Sequence, residues 1–201
     1  VMNPFQRSEH VDIVLFSMTK YYGAGVAIGG AIVGSHKVMD EISTWVRFNG
    51  QHASPHNCML IAQNLPSMKD RIVASSALTQ RVVAFINESL KDKVPSVSYP
   101  LLESHPSHDL AHAYFNKDDQ GRTIGPSVFT FKVKASKSQV LKVFKKHAKT
   151  IEHKTSFGSE LSRTDPWPER DGEYMVCRLA IGYADQFERV SKGIQDIVRA
   201  L

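Results

Sequence analysis

Between Val11 and Phe16 only Asp12 interrupts an apolar run, and the run stops at Ser17-Met18-Thr19-Lys20. A short, nearly continuous apolar segment is the pattern of a strand covered on both faces of a sheet, as α/β proteins build them. Ala27-Ile28-Gly29-Gly30-Ala31-Ile32-Val33-Gly34 predicts a second buried strand. From Lys69 to Leu90 the apolar positions Ile72, Ala77, Val82, Val83, Ile86 and Leu90 recur at mostly helical spacing. That spacing predicts one long helix, of a length suited to connect two parts of a larger body.

Beyond Lys93 the pattern changes. Val94 to Pro100 reads as a short extended piece, and Ser107 as the N-cap of a helix reaching about Phe115. Phe129, Phe131 and Val133 alternate with Thr130, Lys132 and Lys134, predicting a half-exposed strand. A helix over 137–149, a short strand near 152–155 and a stronger strand over 174–182 follow. The last helix gathers Phe187, Val190, Ile194, Ile197, Val198 and Leu201 on one side. The interleaving has an antiparallel, two-layer character. The expected organisation is an α/β first domain over 1–68, a bridging helix over 69–92 and a compact α+β domain over 93–201.

Composition narrows the classes. With 42% hydrophobic and 22% charged residues, the 201-residue chain can bury a core and is not disordered. No stretch approaches the roughly 20 apolar residues of a membrane span, and the start lacks the pattern of a secretory signal. The net charge of +5 is spread out. Its densest basic stretch, with Lys142, Lys145, Lys146 and Lys149 around Leu141 and Phe144, reads as the solvated side of a helix and not as a nucleic-acid surface. Two cysteines, Cys58 and Cys177, point to free thiols and a reducing, cytoplasmic setting.

Three groups of residues invite chemistry. Lys20 follows a strand end, where ligands gather in open α/β sheets. A lysine held partly out of water releases its proton more easily and can then condense with an aldehyde. Ser17 and Thr19, at minus three and minus one, could ligate a phosphate beside it. Lys20 could equally mark the place where the strand meets water. Arg178 stands mid-strand among apolar neighbours and needs an anionic partner, either a ligand carboxylate or an internal Asp or Glu. His105, His108 and His112 have helical spacing, but His105 precedes Pro106 and the set lacks the usual companions of a zinc site, so capping and packing are expected of them. Gly23-Ala24-Gly25 does not fit a dinucleotide fingerprint, its third glycine falling at position 29.

Taken in order, these segments resemble a known family. Asn3-Pro4, Val11-Asp12-Ile13-Val14, Ser17-Met18-Thr19-Lys20-Tyr21 and Gly29 to Gly34 are similar to the cofactor-lysine region of the Cys/Met-metabolism enzymes. The similarity continues through Ser54-Pro55, Arg71, Tyr99-Pro100, Ser104 to Ala111, Thr155-Ser156-Phe157-Gly158 and Arg178-Leu179-Ala180-Ile181-Gly182. The family comprises pyridoxal-phosphate-dependent trans-sulfuration enzymes: cystathionine γ-synthase, cystathionine γ- and β-lyases, homoserine sulfhydrylases and methionine γ-lyase.

The resemblance implies an aspartate-aminotransferase-type (fold type I) architecture, here the remnant of a large α/β domain plus a small C-terminal α+β domain. It implies pyridoxal 5'-phosphate as cofactor, with Lys20 carrying it and shuttling protons, and Ser17 and Thr19 holding its phosphate. Arg178 would clamp the α-carboxylate of a small amino-acid substrate, with backbone around Ser156 assisting. No metal is implied. Partners would be that substrate and further copies in a dimer or tetramer, with neither nucleic acid nor membrane. In the family the phosphate loop, a ring-stacking aromatic and the Asp that meets the pyridine nitrogen lie upstream of residue 1. The alternative is therefore a truncated, non-catalytic remnant acting as an interaction domain. Gly25-Val26-Ala27, Gln63-Asn64-Leu65, the placement of Glu160, and Asp165-Pro166-Trp167 depart from the family pattern near substrate-facing positions. Synthase, sulfhydrylase and lyase stay open.

Overall fold

The computed structural model describes residues 11–201, so Asn3-Pro4 lies outside the described residues. The chain divides into two compact units, one running to Lys69 and one from Asp70 to Leu201.

In the first unit, β1 (Ile13–Ser17) pairs antiparallel with β2 (Gly30–Gly34), Ile13 opposite Gly34 and Ser17 opposite Gly30. A single π-helical turn, Met18–Tyr22, follows β1 directly. Two helices complete the unit, α1 (His36–Phe48) and α2 (Pro55–Asn64). Both strands lie where the apolar runs predict them, but neither is buried on both faces: Leu15 is 73% exposed, and Ile28, just ahead of β2, 78%. A two-stranded sheet has no central position, so each strand keeps an outer edge and most of its apolar side chains uncovered.

The second unit is an α+β layer pair. Its sheet contains β3 (Ser96–Ser98), β4 (Val128–Val133), β5 (Glu152–His153), β6 (Arg163–Thr164), β7 (Glu169–Asp171) and β8 (Tyr174–Ala180). The strand order is β3-β4-β8-β6-β5, with β7 also on β8, and every pair is antiparallel except β5 with β6. The register of β4 on β8 places Phe129 opposite Leu179, Phe131 opposite Cys177 and Val133 opposite Met175. All six are buried. This face packs against α3 (Met68–Ser89), α5 (Lys137–Lys146) and α6 (Phe187–Ala200) through Val82, Val83, Ile86, Val140, Phe144, Val190, Ile194 and Ile197. The period-2 and period-3.6 patterns thus meet in one core, and Thr130, Lys132, Val176 and Arg178 are left on the opposite face.

Helix starts follow side-chain chemistry. Ser136 and Gln139 close a full capping box at α5, and the Ser54 hydroxyl accepts from the Asn57 N–H with Pro55 opening α2. Ser107 occupies the N-cap of the short helix α4 (His108–Tyr114) without a side-chain cap bond. Instead, Nδ1 of His105 accepts from the Ser107 N–H at 3.1 Å. Among the described residues no helix is long and apolar enough to cross a membrane.

Candidate active site

The turn that carries Lys20 is held at both ends. The Gly23 N–H donates to the Met18 carbonyl at 2.7 Å, and the Gly25 N–H to the Thr19 carbonyl at 3.0 Å. Inside it, Lys20 has φ −82° and ψ −115°, outside the helical region, so the helical progression breaks at the lysine itself. Lys20 is half-buried. Burial pushes the neighbouring Tyr22 phenol up from its ordinary value, and its ring meets Phe16 edge-on at 5.4 Å.

Thr19 fastens this turn to β2. Its N–H and its hydroxyl both donate to the Gly29 carbonyl, at 3.2 and 3.3 Å, and the hydroxyl accepts from the Gly29 N–H at 3.0 Å. A threonine hydroxyl has one proton to give and two lone pairs. The proton could turn to a phosphate oxygen while the bond from Gly29 persists and the Gly29 carbonyl keeps the Thr19 N–H. Ser17, exposed at the end of β1, makes no cap bond with its hydroxyl.

Helix α2 supports the turn from beneath. The Asn57 amide donates to the Ile28 carbonyl at 2.9 Å, and Ile61 is buried between Gly23 and Gly29. A Cβ on Gly29 would lie 2.6 Å from Ile61 Cδ1, and one on Gly23 2.7 Å from the Met18 carbonyl oxygen. Asn57 and Ile61 are positioning residues that sequence reading missed. Gly29, inside the apolar run that leads into β2, was the available signal, since a glycine within such a run marks a close backbone approach.

In the second unit Arg178 lies on the half-buried face of β8, opposite the core, with 28% of its side chain exposed. Its Nε stands 3.1 Å from Oδ2 of Asp165, so an internal carboxylate is present as the anionic partner. The angle at Nε does not make a hydrogen bond of it. Asp165 itself is fixed by its own backbone: its N–H donates to the Arg178 carbonyl at 3.2 Å, and its Oδ1 accepts from the Trp167 N–H at 2.7 Å. Ser156 has φ +81°, a left-handed conformation costing an L-residue roughly 1–2 kcal/mol. Among the described residues the only other non-glycine at positive φ is Ala24, at +54°. Both outliers thus fall beside residues singled out for function, where strained backbone tends to gather.

The histidines form local contacts. The rings of His108 and His112 lie 4.5 Å apart, and His112 Nδ1 is 2.9 Å from the Thr123 hydroxyl. Among the described residues no three His, Cys, Asp or Glu side chains converge on a metal position. Burial pushes the Cys177 thiol up to about 12, which removes it as a nucleophile. At the Lys20 turn, by contrast, a primary amine, two hydroxyls and tightly packed backbone fit the needs of an aldehyde bearing a phosphate.

Comparison with known proteins identifies the family. The family model described as Cys/Met metabolism PLP-dependent enzyme matches residues 1–199. The chain belongs to that family. It is 29% identical over 194 residues to an O-succinylhomoserine sulfhydrylase of Mycobacterium tuberculosis, covering 92% of this chain and 45% of the relative. It is 28% identical over 213 residues to a canavanine γ-lyase of Pseudomonas canavaninivorans, covering 98% and 50%. The fold is that of a cystathionine γ-lyase from yeast, at a TM-score of 0.82 and 17% identity over all of this chain and 52% of that one. It also matches an O-acetylhomoserine (thiol)-lyase of Campylobacter jejuni at a TM-score of 0.81 and 21% identity, covering 98% and 54%. That structure carries a pyridoxyl-lysine phosphate. These are fold type I enzymes, and the chain spans about half the length of the relatives it matches.

Proposed function

We propose that this chain is the part of a trans-sulfuration enzyme that carries the cofactor lysine and the substrate-carboxylate arginine. Its reaction would be elimination or replacement at Cβ or Cγ of a cysteine-, homoserine- or methionine-type amino acid. The observation that carries the reading is the Lys20 turn: a lysine at a strand end, broken out of helical geometry and pinned by Thr19 to Gly29, in a chain matched almost end to end by a pyridoxal-phosphate family model.

Pyridoxal phosphate, when bound, supplies an electron sink for charge developed at the substrate Cα. The residues of this chain do the rest. Lys20 Nζ would hold the cofactor by its aldehyde and, as a free amine, would take the substrate Cα proton and return one later. The Ser17 and Thr19 hydroxyls would hold the cofactor phosphate by donating to its oxygens. The guanidinium of Arg178, with backbone near Ser156, binds the α-carboxylate and so orients the bond to be broken. Assembly into a dimer or tetramer and a cytoplasmic setting complete the reading; the exposed Cys58 and buried Cys177, both free, support a reducing compartment.

Turnover by the full-length protein tests it. With pyridoxal phosphate, 2-oxo acid release from L-cystathionine, L-cysteine and L-methionine and replacement on O-succinylhomoserine by cysteine or sulfide are measured in parallel. At least one reaction is expected, and Lys20→Ala is expected to lower it roughly 10²–10⁴-fold, the size of a lost acid–base group. A cofactor-loaded protein inert toward all of these substrates would overturn the assignment.

A further inference from the structure

We propose that Asp165 is a resident counter-ion of Arg178 and sets how tightly a substrate carboxylate is held. The inference rests on the reading of Arg178 as the carboxylate clamp. Three features of the second unit support it.

The first is where the charge sits. Asp165 Oδ2 is 3.1 Å from Arg178 Nε, and only 13% of the Asp165 side chain is exposed. A carboxylate so poorly hydrated keeps much of its field at the guanidinium. The second is how Asp165 is anchored. Its N–H is tied to the Arg178 carbonyl and its Oδ1 to the Trp167 N–H, within the Asp165-Pro166-Trp167 turn. It therefore stays in place when another anion arrives. The third is what the contact leaves unused. Nε makes no hydrogen bond, so Asp165 neutralises charge without aligning a donor, and the two Nη groups form the edge a carboxylate meets with two parallel bonds.

Two carboxylates on one guanidinium repel each other. A ligand must therefore bring a carboxylate that bonds in good geometry and a second anchor, such as an amine held elsewhere, to outweigh the resident charge. Asp165 then acts as a specificity residue: it disfavours simple anions and raises the concentration at which amino acids bind. Asp165→Asn is a clean probe, because the amide oxygen still accepts from the Trp167 N–H while the charge is gone.

Isothermal titration of the full-length, cofactor-loaded protein with L-alanine, L-alaninamide and propanoate tests this, alongside Arg178→Ala. Asp165→Asn is expected to tighten L-alanine and propanoate by roughly three- to tenfold, the size of a partly screened repulsion. L-alaninamide, which lacks the carboxylate, is expected not to tighten. Unchanged or weaker L-alanine binding in Asp165→Asn, with binding lost in Arg178→Ala, would overturn the counter-ion role and leave the clamp standing. Unchanged L-alanine binding in Arg178→Ala would overturn the clamp and the counter-ion with it.

Discussion

Gly182, two residues beyond the end of β8, has no room for a side chain. A Cβ there would lie 2.1 Å from the Glu160 carbonyl oxygen and 2.4 Å from the Leu161 carbonyl carbon. Both are backbone atoms, so no side-chain rotation relieves the clash. Gly182 also donates to the Ser162 hydroxyl at 3.1 Å, which binds β8 to the segment leading into β6 and Asp165. Gly182→Ala is expected to cost about 3 kcal/mol or more in chemical denaturation of the full-length protein; a loss below about 1 kcal/mol would show that the two segments part easily. At this scale the sequence is legible where a residue's chemistry is unusual for its place, as with Lys20 past a strand and Arg178 within one. It is opaque where the partner is distant in sequence. Thr19 meets Gly29 and Arg178 meets Asp165 only because β1 pairs with β2 and β6 pairs with β8.

Among the elements, α6 is tied to the sheet through one buried carboxylate. Asp185 accepts from the Gln186 N–H at the helix start and from the Ser162 N–H, both at 2.9 Å, and pairs with Arg189 one turn on. Arg189 in turn donates to the Thr150 carbonyl. Burial pushes the Asp185 carboxyl upward, but the Arg189 guanidinium and the N–H donors of Ser162 and Gln186 outweigh it and hold it below its ordinary value. A carboxyl lowered in the folded state stabilises the fold above its unfolded pKa and loses that contribution as pH falls through the folded one. Stability is therefore expected to fall as pH drops below about 4. Asp185→Asn is expected to flatten that step and to cost about 1.5–3 kcal/mol at neutral pH. Urea midpoints of both proteins from pH 7 to pH 3 check this; parallel curves would contradict it.

The same scale shows which elements are readable. β4, β8 and α6 each bury one full face, so their periods stand out in the sequence. In α1 no residue is buried, and Trp45 and Phe48 are 56% and 83% exposed, so its apolar positions do not mark an inner side. α2 buries only Ile61 and is signalled by Ser54-Pro55 instead of by periodicity.

For the whole molecule, pattern and burial separate. The second unit buries what its alternation says it should, because sheet and helices are both present to cover it. The first unit has apolar strands on a two-stranded sheet, and Ile13, Leu15, Ile28, Ile32 and Val33 are exposed there. Periodicity states which environment a segment suits; only neighbours in space supply it. The family match extends along both units, while each relative is about twice as long as this chain. The functional reading thus belongs to the full-length protein, and within this chain it converges on the amine at position 20. Borohydride reduction of the full-length protein loaded with pyridoxal phosphate, followed by digestion and mass spectrometry, tests that position directly. The expected result is a pyridoxyl adduct on the peptide bearing Lys20 and its loss in Lys20→Ala; an adduct confined to another lysine, or none at all, would contradict the account.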